Sequence, residues 1–117
     1  MASSLPGAAV AAIREIVHHL VAQNYGALET SGYSGRLSAM DLQTVVARYR
    51  RTLVELPDDI FATDAVEVYP QLGNERSWKV DIDLWTKEEG RSDLTLQVMV
   101  EEDPDQVRVQ IEDLHVL

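Results

Sequence analysis

The sequence contains no cysteine, which rules out a disulfide framework and any thiolate metal centre. Long apolar runs are also missing. The longest, Ala8 to Ile13, meets Arg14-Glu15 after six residues, against the roughly 20 that a membrane-spanning helix needs. No basic residue precedes Val10, so a secretory leader is not expected. Together these absences point to a cytoplasmic protein without membrane contact.

Positive charge is scarce. Lysine and arginine number 10 against 20 aspartates and glutamates, a net charge of −10. The imbalance is one-sided: residues 1–56 carry five basic and four acidic residues, residues 57–117 five basic and sixteen acidic. Such a field repels nucleic acid, whose phosphates require a basic footprint. It attracts a basic protein and accelerates its association.

What is present describes one globular domain spanning 1–117. The chain is 45% hydrophobic and 26% charged, too apolar for a disordered segment and too short for two cores. Its first half, 5–62, reads as helical. Ser4 and Pro6 mark a helix start, and Val10, Ile13, Val17, Leu20 and Val21 recur at helical spacing over about 5–24. Gly26 to Leu37, rich in glycine and hydroxyls, reads as a loop. Ser38 and Asp41 have the spacing of a capping box. Leu42, Val45, Val46, Tyr49 and Leu53 then give a second amphipathic helix that Pro57 stops, followed by a short turn at Asp58–Phe61.

From Ala65 to the end the period changes to two. Val66 and Val68, then Trp78 to Leu84, Leu94 to Val100, and Val107 to Ile111 alternate with polar neighbours, as in a sheet packed on one face and wet on the other. Thr86–Arg91 and Glu101–Asp105 read as the connecting turns. Pro70 with Gly73-Asn74 reads as the end of the first strand. Leu114 falls on the wrong parity, so a bulge near Asp113 or a late turn is needed to bury it. The expected fold is α+β: two helices and a short third turn on one face of a four-stranded antiparallel meander. Cystatin-like and nuclear-transport-factor-like cones are the nearest architectural analogies, with no functional content.

No residue pattern carries catalysis, a cofactor or a metal ion. His18 and His19 point about 100° apart on a helix and cannot chelate together. Asp81 and Asp83 lie about 7 Å apart on one strand face but lack a calcium-loop glycine pattern. The Ser31–Gly35 segment is neither a nucleophile elbow nor a phosphate loop. More informative are Trp85, Met99 and Tyr69, whose parity places large side chains among charges, as recognition surfaces do. The alternative is that Leu114 and Leu117 cover Trp85 and Met99.

The stretch Asp83-Leu84-Trp85-Thr86-Lys87-Glu88-Glu89-Gly90-Arg91-Ser92-Asp93-Leu94-Thr95-Leu96, the ending Ile111 to Leu117, and Gly35-Arg36-Leu37-Ser38 resemble a family of short uncharacterised bacterial proteins, a domain of unknown function. The resemblance implies a bacterial cytoplasmic protein and brings no catalytic residues.

The expected role is a non-catalytic acidic interaction protein, of the immunity or antitoxin kind, for a basic protein partner. Asp81, Asp83, Trp85, Glu88, Glu89, Arg91 and Met99 are its candidate contacts, and a homodimer through Trp85 and Met99 is compatible with it. The alternative is a ligand-binding or enzymatic pocket between helices and sheet.

Overall fold

A computed structural model describes residues 5–116, apart from the side chains at positions 74 and 75. The first helix, α1, spans Gly7–Val21 and buries Ala9, Ile13, Ile16, Val17 and Leu20. Ile13, Val17 and Leu20 of the predicted stripe are among them, while Val10 and Val21 are half-buried at its border. Ser4 lies outside the described residues, and Pro6 occupies the cap position with no side-chain cap bond. The helix stops short of the expected end because Gln23 adopts a positive φ of 61°.

The segment read as a loop begins with a second helix, α2, at Tyr25–Ser31. Its composition is misleading because Tyr25 and Leu28, three apart, are enough to bury one turn. Gly32 closes it in the left-handed conformation, φ 85°, as glycine past a helix end commonly does.

The third helix, α3, spans Ala39–Tyr49 and opens on the expected capping box. The Asp41 N–H donates to Ser38 Oγ at 3.0 Å and the Ser38 N–H to Asp41 Oδ2 at 2.9 Å. Hydrogen bonding from Ser38, its backbone N–H first, holds the Asp41 carboxyl below its ordinary range. Glu29 of α2 takes the Ala39 N–H at 2.8 Å, tying the two helices together.

Contrary to the helical reading, α3 does not continue to Pro57. Arg50 turns to φ 56°, and Leu53–Val54 form a short strand, β1. A 3-10 turn follows at Ile60–Ala62. Arg14 of α1 holds this connection by donating to the carbonyls of Leu56, Pro57 and Asp58 at 3.4, 3.2 and 2.9 Å. Its guanidinium also lies 5.3 Å from the Phe61 ring centroid.

Four longer strands complete the chain: β2 (Val66–Gln71), β3 (Asn74–Thr86), β4 (Gly90–Glu102) and β5 (Val107–Val116). All pairings are antiparallel in the order β3-β4-β5, and β2 and β1 pair with successive parts of the same β3 edge. The meander is therefore as expected, with β1 as an addition. Pro70 does not end the first strand; it sits inside β2 opposite Trp78. That strand lies at the sheet edge, the position a proline tolerates.

The register of β5 against β4 shifts between Gln97 and Val98, which face Asp113 and Ile111. Glu112 is thus an extra residue, the bulge that Leu114 required, and Leu114 is buried. A second irregularity occurs on β4, where Asp83 pairs with Thr95 but Trp85 with Arg91. Ser92 repairs it by donating to the Leu84 carbonyl at 2.7 Å and accepting from the Leu94 N–H at 3.2 Å.

One sheet face, formed by Trp78, Val80, Ile82, Leu84, Leu94, Leu96, Val98, Val100, Val109, Ile111 and Leu114, packs against the helices in a single core. Helix α1 touches both β1 and β5. These strands lie at opposite edges, so the sheet curls around the helix. No helix among the described residues is long and apolar enough to cross a membrane.

Candidate functional site: the uncovered sheet face

Helices cover the core face alone, and strand register arranges the other face in rows. One row reads Glu67, Asp81, Gln97 and Asp113 across β2, β3, β4 and β5. The next reads Tyr69, Lys79, Met99 and Gln110. A third holds Asp83, Thr95 and His115.

The acid row contains no cation. Glu67 and Asp81 stand directly opposite each other, an arrangement that destabilises a sheet when both are charged. Gln97 Nε2 donates to Asp81 Oδ1 at 2.8 Å. The Tyr69 hydroxyl donates to Glu67 Oε2 at 2.6 Å. That bond, together with the field of Glu67 and Asp81, pushes the Tyr69 pKa up to about 12. Asp113 Oδ2 lies 3.0 Å from His115 Nδ1, and among the described residues no lysine or arginine pairs with a carboxylate of the row.

The seven residues singled out from sequence divide into two groups. Asp81, Asp83, Trp85, Arg91 and Met99 belong to the outer face. Arg91 and Asp83 pair directly, with Nη2 2.9 Å from Asp83 Oδ2, and Arg91 Nη1 lies 2.8 Å from Asp64 Oδ1. This pairing holds the guanidinium in its charged form. Thr95 Oγ1 adds a bond to Asp83 Oδ1 at 3.2 Å. Trp85 and Met99 have the outward parity read from the strands, yet both are half-buried. Leu114 does not cover them, because it faces the core, and Leu117 lies outside the described residues.

Glu88 and Glu89 turn away, toward the helical side. Glu88 accepts from the Thr52 N–H and hydroxyl at 2.8 and 2.9 Å. Glu89 accepts from the Tyr49 hydroxyl at 2.9 Å. Glu89 clamps the β3–β4 hairpin to the last residue of α3, and Glu88 clamps it to the segment that follows.

The Thr52 bonds lower the Glu88 pKa from its ordinary 4.5. A carboxyl lowered on folding contributes stability above its unfolded pKa and loses it as pH falls through the folded one. Glu88→Gln is therefore expected to unfold at lower urea than wild type at neutral pH. The gap should narrow once pH falls below the ordinary 4.5 and close as it passes through the lowered folded pKa, which urea titrations over that range would measure. A gap independent of pH would refute the clamp's charge dependence.

Outside the seven candidate contacts are Glu67 and Asp113 of the rows, Tyr69, which sequence had already placed outward, and Glu101, Glu112 and Arg36 around Met99. Parity alone places the strand residues on the outer face. Which of them stand side by side depends on register, and Arg36 arrives from a loop. Among the described residues, no group of histidines and carboxylates is arranged to hold a metal ion.

Fold and face together define a small α+β domain whose helices shield one side of a curled sheet and leave a carboxylate-rich side open. Residues 17–117 match the domain of unknown function DUF7668, and the chain belongs to that family. No curated protein and no solved structure matches the chain significantly.

Proposed function

We propose that this is a non-catalytic interaction protein of a bacterial cytoplasm that binds a basic protein through the uncovered sheet face, as an immunity or antitoxin protein masks a basic toxin or nuclease. The observation that carries this reading is the acid row, with Glu67 and Asp81 directly opposed and no cation among them. A like-charge cross-strand pair costs stability, and such local violations gather at functional positions. A basic partner would relieve the repulsion while gaining electrostatic steering. Half-buried Trp85 and Met99 supply apolar surface beside the charge. Phosphates would meet the same repulsion, and a second copy brought face to face would oppose acid with acid. The alternative pocket between helices and sheet has no specific observation in its favour, since apolar side chains line that interface.

The test uses Glu67→Lys, which turns the opposed pair into an attractive one. The variant is expected to be more stable than wild type by about 0.2–1 kcal/mol. Its affinity for the partner should nevertheless be lower. Immobilised wild-type protein should retain a basic polypeptide from the source organism at about 50 mM salt and release it by about 0.5 M. Glu67→Lys combined with Asp113→Lys should not retain it. Equal retention of the same polypeptide by the charge-reversed protein would sink the proposal.

A further inference from the structure

At the end of the outer face nearest the α2–α3 connection lies a cleft of about 450 Å³ lined by Arg36, Met99, Glu101, Gln110 and Glu112. The connection crosses the β5 edge here: the Ile111 N–H donates to the Tyr33 carbonyl at 2.7 Å. Gln110 Nε2 lies 3.4 Å from the Gly32 carbonyl. This brings Gly35 and Arg36 against the sheet. Met99 supplies apolar floor, Glu101 lines the cleft from β4, and Glu112 from the β5 bulge.

The chain places a cation of its own beside this cleft. Arg36 Nη2 is 3.8 Å from Glu112 Oε2, beyond hydrogen-bond length, and its side chain is 89% exposed. Such a contact contributes little and is easily exchanged. The Glu101 side chain makes no hydrogen bond or ion pair among the described residues, although its backbone sits in the β4 ladder. Arg108, its neighbour across the strands, pairs instead with Asp103 at 3.4 Å. The cleft thus combines one free carboxylate, one loosely occupied carboxylate and a thioether floor. That combination suits a guanidinium on an aliphatic stem, which packs its methylenes on apolar surface while its planar head meets carboxylates.

We infer that this cleft receives an arginine side chain of the basic partner, with Arg36 as a resident placeholder that the incoming guanidinium displaces. The inference rests on the acidic-face reading and adds one anchor to it. Anchors of this kind, an arginine in a partly desolvated pocket, dominate many interfaces.

The probe is a hexa-arginine peptide with blocked ends, followed through methionine methyl resonances. Met99 forms the cleft floor, whereas Met40, 74% exposed on α3, is an internal control. The Met99 methyl is expected to shift saturably and Met40 to stay still. Arg36→Ala should tighten the interaction about two- to fivefold, and Glu101→Gln with Glu112→Gln should weaken it about tenfold. These residues are on the surface, so the variants retain the fold. Peptide signals spread over the sheet with Met99 unmoved would overturn the cleft assignment and leave the acidic face standing. Hexalysine moving Met99 as readily would overturn the guanidinium assignment. No association of hexa-arginine at low salt would count against both readings.

Discussion

Replacing Gly35 with alanine is expected to destabilise the protein by about 2–3 kcal/mol, a fall of roughly 10 °C in the thermal midpoint for a domain of this size. Two costs combine. Gly35 has φ 61°, a conformation that L side chains adopt only under strain. A Cβ there would also stand 2.6 Å from the Ile111 carbonyl oxygen. That oxygen belongs to the backbone of β5 and cannot rotate away without moving the strand. Gly32 provides the comparison. Its φ of 85° is equally unusual, but a Cβ would meet nothing within 4 Å, so Gly32→Ala should cost only about 1 kcal/mol. Thermal unfolding of the two variants separates strain from collision, and equal losses would refute the close approach. Hydrogen exchange at the Ile111 amide, bonded to the Tyr33 carbonyl, should accelerate in Gly35→Ala.

Inserting an alanine between Glu112 and Asp113 is expected to cost about 4 kcal/mol or more, enough to unfold a marginal domain. Glu112 is the extra residue that lets Ile111 and Leu114 face the same side. With a further residue inserted after it, alternation beyond the bulge carries Asp113 into the core and Leu114 out. The protein must then bury a carboxylate among Leu94, Leu96 and Val98 or give up the end of β5. Glu112→Ala keeps the residue count and should stay within about 1 kcal/mol of wild type. Urea denaturation of the two variants measures the difference. An insertion as mild as the alanine substitution would mean that the register at Gln97 and Val98 carries no energetic weight.

Particular elements show where sequence was enough. Ser38 and Asp41 marked the start of α3 because a capping box is local chemistry, satisfied within four residues. The misplaced parity of Leu114 demanded a bulge because burying a leucine outweighs one broken ladder position. The meander followed from alternation and hairpin turns.

Other elements were not legible. Helix α2 hides in a segment of glycines and hydroxyls, and its single buried turn is held by Tyr25 and Leu28 against the core. Leu53 fitted the α3 stripe by spacing, yet Arg50 broke the helix and the Thr86–Trp85 edge claimed Leu53–Val54 as a strand. Tertiary pairing overrode local periodicity there. The candidate site divides in the same way. Asp81, Asp83 and Met99 were visible as outer-face residues, whereas Glu88 and Glu89, candidate contacts from the hairpin turn, are held toward the helical side by Thr52 and Tyr49.

By itself, then, the sequence determined the α+β class, the wet and dry faces of the meander and the concentration of acid in its second half. All three depend on residue type and on periods of 2 and 3.6, which the chain carries locally. The tertiary structure alone decided that Glu67 meets Asp81, that Glu101 and Glu112 flank Met99, and that Arg36 comes to rest beside them. Those juxtapositions arise from strand register and from a loop crossing the edge of β5. Both are set by which packing buries the core, across separations in sequence that no local pattern spans.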